Sequence, residues 1–334
     1  MATHFFGLTD RTFTYSHSVG RNEFGGTGFR NPVDLAVGDN DLVYVVNRSY
    51  ENRPDGVRIS ICTLGEDFIG EFSSSGEGDG QLIWPTSIAL DGDGKVYVAD
   101  DWLHRISIFD KDGNYLSKWG TQGSGDGELN GPASLCIVDD TIYVADAKNH
   151  RIQKFSLDGQ YRGKYGSFGD GPGQFNMPWG VDVDADGNIY VADWRNDRIQ
   201  KLSASGECLG IFGSSGSGIG QFNRPSDVAV DADGDIYVAD RQNDRVQVLA
   251  PDGRFVTALY GDHKISKWGV EKLQSNPDMI RQRALAISHD RGEFEKHFCH
   301  PCAVEVDSQN RIVVADNIRG RLQVYVKPVE PVLA

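Results

Sequence analysis

The sequence predicts an all-β fold, a six-bladed β-propeller that forms one domain over residues 1–334. Two observations carry this prediction. One pattern of four short strands recurs six times along the chain, with turn residues such as Gly, Asp and Asn about every ten residues. A lone sheet of this kind exposes two apolar faces, and six such sheets in a ring cover one another.

The second strand is the clearest part of each copy, because it ends in Tyr-Val-Ala-Asp or a close variant. The six versions are VYVVN at 43–47, VYVAD at 96–100, IYVAD at 142–146, 189–193 and 236–240, and IVVAD at 312–316. The last residues of copies two to six are spaced by 46, 47, 47 and 76 residues, and copy one precedes copy two by 53. Because alternating apolar residues indicate strands, each copy predicts one blade.

A proline begins the first strand of every copy, and this strand is expected to line the central channel. The six prolines are Pro32, Pro85, Pro132, Pro178, Pro225 and Pro301. A third strand of the type Arg-Ile-Gln-Lys-Phe follows, and a fourth ends in an aromatic residue and glycine. The loops that lead into the first strand and the loops after Tyr-Val-Ala-Asp share one face, here called the top face, where we expect a ligand.

The sixth copy predicts how the ring closes. It supplies CAVEVD, RIVVAD and RLQVYV and then lacks a fourth strand, whereas residues 12–20 (TFTYSHSVG) have the pattern of an outermost strand without a blade. We expect this N-terminal strand to complete the sixth blade, which removes exposed strand edges.

The long step between copies five and six predicts a helical insertion over residues 262–299. Ser266 is a suitable N-cap for a short helix through Leu273, and Asn276-Pro277 predicts the start of a second helix. We expect these helices to form a lid over the top face. The segment holds seven Lys/Arg and six Asp/Glu, so it either neutralises the acidic body or contributes Arg281, Arg283 and Lys264 as a clamp on an anionic group.

Polar motifs that recur in several copies are interpreted as structural. The Asp-x4-Arg pairs predict cross-strand ion pairs beside a loop: Asp100 with Arg105, Asp146 with Arg151, Asp193 with Arg198, Asp240 with Arg245, and Asp316 with Arg321. The segment DVDADGN at 182–188 resembles the start of a calcium loop, but its siblings in other copies favour an Asp-Gly hairpin turn. His104 and His150 share a variable loop position with aspartates and are expected to be solvated.

The repeats resemble the NHL family of propellers. The resemblance rests on the strand motifs and on the spacers GDGPGQF at 169–175 and GSGIGQF at 216–222, and it covers about residues 12–326. It implies the six-bladed fold. It leaves function open, because the family includes RNA-binding modules, protein scaffolds, lyases and lactonase-like hydrolases.

A more distant resemblance is to the peptidyl-hydroxyglycine amidating lyases, which share the His-Phe-Cys-x-Pro segment found here at 297–301. Their zinc is held by histidines directly after the first prolines of several blades. Here these positions are Val33, Thr86, Ala133, Trp179, Ser226 and Cys302. None is histidine, so that zinc site and that activity are not carried over.

Composition argues against some partners. A net charge of -15 and a pI near 4.9 repel phosphate backbones and anionic membranes, so we expect neither nucleic acid nor membrane as partner. The sequence shows no secretory signal pattern and no apolar run that could cross a bilayer. The five cysteines show no framework spacing, which predicts reduced thiols and a cytoplasmic protein.

Four acidic residues occupy channel-facing positions where the repeat otherwise has small or neutral residues. These are Asp34, Asp182, Asp227 and Glu305, at the second or fourth position after the first proline. Buried acids need a shared cation, bound water or a raised pKa, and solvated acids in a wet channel are the alternative. We interpret Asp182 and Glu305 as a catalytic pair of base and acid, or alternatively as cation ligands, with His300 at the rim as a second proton carrier.

A divalent cation, calcium or zinc, is the cofactor that these acids suggest. Asp34 and Asp227 are its candidate ligands, together with His297 of the HFCHPC segment at 297–302. No phosphate loop or dinucleotide fingerprint is present, so no nucleotide cofactor is expected.

Aromatic residues on the top face are the candidate substrate contacts. They are Trp179, Trp102, Trp194 and Tyr50, and Trp179 is the clearest because its position is otherwise small. The sequence therefore predicts an enzyme, a lyase, hydrolase or isomerase, that acts on a small molecule in the channel. The alternative is a non-catalytic scaffold that presents its rim to a protein or other ligand.

Overall fold

A computed structural model describes residues 13–49, 54–288 and 295–327. In these residues, 24 strands form six four-stranded antiparallel sheets arranged around a central channel. Two α-helices, α1 (Lys267–Gln274) and α2 (Pro277–Ser288), lie between the fifth and sixth blades. The predicted six-bladed propeller and its helical insertion are confirmed.

Each blade uses its strands in chain order from the channel outward, apart from the last. Blade one comprises β2 (Pro32–Val37), β3 (Leu42–Asn47), β4 (Arg58–Thr63) and β5 (Phe68–Phe72). Blade two comprises β6 (Pro85–Leu90), β7 (Val96–Asp100), β8 (Arg105–Phe109) and β9 (Tyr115–Trp119). Blade three comprises β10 (Pro132–Val138), β11 (Thr141–Asp146), β12 (Arg151–Ser156) and β13 (Tyr161–Tyr165). Blades four and five comprise β14 (Pro178–Val183), β15 (Ile189–Asp193), β16 (Arg198–Leu202) and β17 (Cys208–Phe212); and β18 (Pro225–Val230), β19 (Ile236–Asp240), β20 (Arg245–Leu249) and β21 (Phe255–Leu259). Blade six comprises β22 (Pro301–Val306), β23 (Arg311–Asp316), β24 (Arg321–Val326) and the N-terminal β1 (Thr14–Val19).

The N-terminal strand closes the ring as the sequence predicts. β1 pairs antiparallel with β24, from Thr14 opposite Val326 to Val19 opposite Leu322. The outer edge of β24 is thereby covered by backbone hydrogen bonds between the two ends of the chain. Blade six, which contains both ends of the chain, is thus a four-stranded sheet of the same kind as the others.

The apolar core lies between neighbouring blades. In the contact of blades four and five, Tyr190 and Ile199 of one sheet pack with Val228 and Val238 of the next, and all four side chains are buried. The alternation of each strand supplies one such face to each neighbour. Blade packing therefore buries the apolar faces of the inner strands of each sheet, whereas the outermost strands stay largely exposed.

Asp-Gly turns form the hairpins between first and second strands. Asp184 accepts hydrogen bonds from the backbone N–H groups of Asp186 and Asn188, and Asp91 and Asp231 do the same in their blades. A tyrosine hydroxyl of the second strand donates to each of these aspartates. These carboxylates are occupied by turn hydrogen bonds, which supports the hairpin interpretation over a calcium loop.

Four of the five predicted Asp–Arg pairs form across the second and third strands. Their Nε to Oδ2 distances are 2.8 Å for Arg151 and Asp146, 2.8 Å for Arg198 and Asp193, 2.7 Å for Arg245 and Asp240, and 2.7 Å for Arg321 and Asp316. In each of these blades a glutamine also donates to the aspartate.

The prediction is wrong for blade two. Asp100 accepts instead from the backbone N–H groups of Ile83, Trp84, Trp102 and Leu103. The glutamine position of the other blades is Ser107 here, whose short side chain does not reach the aspartate. Arg105 is bound by the carbonyl groups of residues 77, 78 and 81.

The insertion begins as predicted, with Ser266 capping α1 through a hydrogen bond from the N–H of Gly269 (3.1 Å). Trp268 is buried against Phe29 and Phe68. Tyr15 of β1 accepts a hydrogen bond from the N–H of Lys264. These contacts of the first part of the insertion lie along the outer edge of blades six and one. Its action as a lid over the top face stays a prediction.

Neither helix in the described part of the chain has the length and apolar composition needed to span a bilayer. All five cysteines are free, in agreement with the expectation of reduced thiols.

Candidate functional site

The central channel contains a cavity of about 280 Å³ between the first strands of all six blades. Its wall includes Asp34, Asp182, Asp227 and Glu305, so the structure brings all four channel acids together. Each side chain is half-buried, in contact with the open channel on one side and with the backbone of a neighbouring blade on the other.

The second position of the first strand links one blade to the next in four blades. There a carboxylate or hydroxyl oxygen accepts a hydrogen bond from the backbone N–H of the following first strand: Asp34 from Ile88 (2.9 Å), Ser87 from Leu135 (2.9 Å), Ser134 from Val181 (3.3 Å) and Asp227 from Val304 (3.0 Å). First strands of neighbouring blades are thus joined by side chains rather than by a backbone ladder.

Blades four and six have Gly180 and Ala303 at the second position, and their acceptor stands two residues later. Asp182 Oδ2 accepts from the N–H of Val230 (2.8 Å), and Glu305 Oε1 accepts from the N–H of Val37 (3.1 Å). A Cβ at position 180 would lie 2.6 Å from the Cα of Asp227, so blade four has no room there for a side chain. The six acceptors together form a closed ring, here called the channel ring.

Burial raises the pKa of every acid in the channel ring. The pKa of Asp34 rises to about 6 and that of Glu305 to about 8, and hydrogen bonds from backbone N–H groups oppose the rise in both. The neighbouring acids Asp34 and Asp182 add to the rise for Glu305. For Asp227, burial and then the charge of Asp34 hold the pKa well above its usual range.

Asp182 has a different environment from Glu305. Its Oδ1 accepts from the N–H of Val183 (2.8 Å) and from the thiol of Cys136 (3.4 Å), in addition to the bond from Val230. Burial still raises its pKa, but three donors favour the charged form. Burial and then the charge of Asp182 hold the pKa of Cys136 well above its usual range, so Cys136 is a thiol.

The predicted aromatic contacts are only partly assembled. Trp179 and Trp194 meet edge to face at the mouth of the channel, with ring centres 4.6 Å apart. Trp102 lies on the same face but is 64% exposed. Tyr50 lies outside the described residues.

The predicted residues of the insertion do not reach the cavity wall. Arg281 is exposed on α2, and Arg283 forms an ion pair with Glu295 (2.9 Å). The role of both arginines as an anion clamp stays a prediction.

The histidines of the HFCHPC segment occupy two different places. His300 directly precedes the first strand of blade six at the channel mouth, and its N–H donates to Asp244 (2.7 Å). The backbone carbonyl of His297 accepts from Arg321, and its side chain is exposed outside the cavity. The structure therefore does not bring His297 together with Asp34 and Asp227. In the described residues, no group of three or more His, Cys, Asp or Glu side chains is arranged to hold a metal ion.

His104 and His150 are not merely solvated, as the sequence suggested. Nδ1 of His104 accepts from the N–H of Gly131 (3.1 Å), and Nδ1 of His150 accepts from the N–H of Met177 (3.0 Å). Asp197 and Asp244 accept in the same way in blades four and five. Each of these side chains thus accepts a hydrogen bond from the residue before the first proline of the next blade. Burial lowers the pKa of both histidines.

The sequence reasoning missed the arginines of the channel mouth. Arg48 and Arg241 directly follow the second strand in blades one and five, where other blades have Asp101, Ala147, Trp194 and Asn317. The variation at this position among copies was the available signal.

The sequence profile of the NHL repeat matches residues 129–155, 175–202 and 222–249. NHL repeat-containing protein 3 of Homo sapiens is 34% identical over 86 residues, which are 25% of this chain and 23% of that protein. The Mus musculus protein of the same name is 34% identical over 97 residues, 26% of each chain. The chain thus spans about a quarter of the length of these curated relatives.

Solved structures share the fold at low identity. A structural genomics protein of unknown function from Bacteroides thetaiotaomicron has a TM-score of 0.62 at 17% identity and covers 95% of this chain and 76% of its own. Virginiamycin B lyase from Staphylococcus aureus, in a structure with quinupristin, has a TM-score of 0.56 at 11% sequence identity. The match covers 95% of this chain and 100% of that chain. Hydrazine synthase from Kuenenia stuttgartiensis has a TM-score of 0.54 at 13% sequence identity, and the match covers 91% of this chain and 97% of that chain.

Proposed function

We propose that this propeller, which carries NHL repeats in three of its blades, is an enzyme that takes a small organic molecule into its channel and transfers protons there. The observation that carries the proposal is the cavity of about 280 Å³ with four acids of raised pKa on its wall. Acids poised between charged and neutral forms near neutral pH suit acid–base catalysis. A lyase, hydrolase or isomerase reaction fits this chemistry.

The two environments suggest separate roles for the catalytic pair. Asp182 is the base, because its three hydrogen-bond donors favour the charged form and oppose the rise of its pKa by burial. Glu305 is the acid, because a pKa of about 8 leaves it protonated at neutral pH. Its bond to Val37 uses Oε1, so the second oxygen is available to donate a proton into the cavity. Two acids with pKa values separated by their surroundings are a recurring arrangement in acid–base enzymes.

His300 stays the proposed second proton carrier, at the mouth through which a substrate would pass. A divalent cation stays a proposal for the channel, with Asp34 and Asp227 as its ligands. The proton-transfer roles of Asp182 and Glu305 do not need a metal. Elemental analysis of the purified protein, before and after dialysis against a chelator, tests the cation directly.

The proposal is tested with the variants Asp182→Asn and Glu305→Gln. Both keep an oxygen that can accept the bond from the next blade, so the fold should survive while proton transfer is lost. Small molecules that raise the melting temperature of the wild type are incubated with protein, and conversion is followed by proton NMR. We expect each variant to lose at least about a hundredfold in turnover.

The matched controls are Asp186→Asn and Glu207→Gln, which make the same chemical changes at exposed positions outside the cavity. Both controls should turn over substrate at the wild-type rate. Turnover at the wild-type rate in both channel variants would rule out the assignment.

A second candidate function is a scaffold for a protein partner, and it rests on exposed apolar side chains of the top-face loops. Trp102, Phe168 and Ile219 are 64%, 65% and 73% exposed. Exposed apolar groups of this size are typical of interaction surfaces when they lie together on one face. A partner retained by wild-type protein and lost from both Trp102→Ala and Ile219→Ala would favour this function over catalysis.

A further inference from the structure

The channel mouth is basic although the whole chain has a net charge of -15. Arg48 of blade one and Arg241 of blade five stand on either side of Cys302, which begins the channel wall of blade six. The two guanidinium groups and the Cys302 thiol interact electrostatically with one another. The charges of Arg48 and Arg241 repel each other, and an anion between them would relieve this repulsion.

Arg48 is held in place from within the propeller. Its Nε and Nη2 donate to the carbonyl oxygen of Pro85 (3.2 and 3.0 Å), and its guanidinium lies over the ring of Trp84 at 4.5 Å. Burial lowers its pKa to about 10, and the charge of Arg241 adds to this effect. Arg48 nevertheless stays fully charged at neutral pH, so its charge is fixed at the mouth.

Arg241 lies near the ring of Trp179 and forms a side-chain hydrogen bond with the Cys302 thiol, and no ion pair joins it to a carboxylate among the described residues. Its guanidinium lies 6.0 Å from the ring centre of Trp179, and its buried Nε has no acceptor in the part of the chain that the structure describes. The guanidinium of Arg224 lies over the neighbouring ring of Trp194, and its buried Nη1 also has no acceptor among the described residues. Donors of this kind are costly to leave unpaired.

The acids near these arginines already have other partners. Asp101 binds Lys148 (2.8 Å), and Asp316 binds Arg321 (2.7 Å). Neither is placed to neutralise both Arg48 and Arg241. The mouth therefore combines fixed positive charge, unpaired donors and the faces of two indole rings.

We infer that Arg48, Arg241, Trp84 and Trp179, here called the mouth collar, bind the carboxylate of a small aromatic acid. The carboxylate lies between the two guanidinium groups and accepts from their Nη donors, since Nε and Nη2 of Arg48 are bound to Pro85. The aromatic ring of the ligand packs on Trp179, whose outer edge is already fixed by Trp194. This binding does not require catalysis by Asp182 and Glu305, so the two proposals fail separately.

The probe is benzoate, with the neutral benzamide of the same shape as its comparison. Binding is measured by isothermal titration calorimetry on the full chain. Benzoate should bind saturably with a stoichiometry of one, and benzamide at least about tenfold more weakly, because the charge-assisted bonds are lost. The affinity for benzoate should fall as salt is raised.

Arg241→Gln is the test variant, because it removes the charge of an arginine whose Nε has no acceptor among the described residues and whose described hydrogen bond goes to the Cys302 thiol. It should weaken benzoate binding at least about tenfold, with an unchanged melting temperature. Arg254→Gln makes the same change at an exposed arginine paired with Asp252 outside the mouth, and it should bind like the wild type. Benzoate binding that is absent, or equal in wild type and Arg241→Gln, or matched by benzamide, would overturn the inference.

Discussion

At the scale of single residues, each acid of the channel ring has two tasks. One oxygen accepts a hydrogen bond from the next blade, as Asp34 does from Ile88 and Glu305 from Val37. The other side of the carboxyl group faces the cavity, where its protonation state is open to change. The same burial that makes the inter-blade bond strong also raises the pKa.

Glu305 makes stability depend on pH. Its pKa rises on folding from the ordinary 4.5 to about 8, so the folded protein holds a proton that the unfolded chain releases. Its contribution to stability is therefore complete below pH 4.5 and is lost as the pH rises towards 8. Between pH 5 and pH 8 we expect the wild type to lose about 2 kcal/mol more than Glu305→Gln, less than the full linkage value because the side chain is only half-buried.

Urea denaturation at the two pH values measures this difference. Glu207→Gln is the control, since Glu207 is exposed, and it should follow the wild type. Parallel pH profiles for wild type and Glu305→Gln would contradict a raised pKa at this position.

Sequence reasoning located the channel acids but not their bonds. Alternation along one strand is enough to place Asp182 and Glu305 on the channel side. Asp182 replaces the acceptor that is missing at Gly180, because the backbone of blade five lies too close to Gly180 for a side chain there. The sequence of a single repeat does not reveal this distance between two blades. The mouth arginines were overlooked for the same reason, because Arg48 and Arg241 meet only after the ring has closed.

At the scale of elements, contacts between neighbouring repeats are made by loop residues that vary from copy to copy. His104, His150, Asp197 and Asp244 all accept a bond from the residue before the next blade. The residue type differs from blade to blade, but each side chain accepts the same inter-blade hydrogen bond. Because this bond is not visible in the sequence of one loop, the sequence suggested solvated side chains. The insertion likewise connects elements, since it packs on both β1 and the first blade.

Trp268 is the residue on which the docking of the insertion depends. It is 3% exposed, so Trp268→Ala should lower the free energy of unfolding by about 3 kcal/mol through lost packing. Because α1 is next to β1, the variant should also speed hydrogen exchange of β1 amides. Trp102→Ala, at a 64% exposed position, should leave both unchanged. Equal stability of the two variants would show that the insertion does not brace the ring.

At the scale of the whole molecule, closure of the ring depends on a strand from the opposite end of the chain. Removal of residues 1–19 deletes β1 and leaves β24 as an open edge. We expect this truncated protein to aggregate, since an unpaired apolar edge recruits other strands. Size-exclusion chromatography with light scattering checks this, and elution at the volume of the full chain with an unchanged melting temperature would contradict it.

The channel ring repeats one bond in one direction at all six junctions, including the junction of blades six and one, where Glu305 reaches Val37 across 268 residues of sequence. The two ends of the chain lie within blade six, on β1 and β24, and the channel side of this junction is held like the other five. The bonds of the channel ring therefore do not depend on where in the ring the chain begins and ends. A circularly permuted chain, with its natural ends joined and new ends opened in another loop between blades, retains every one of these contacts.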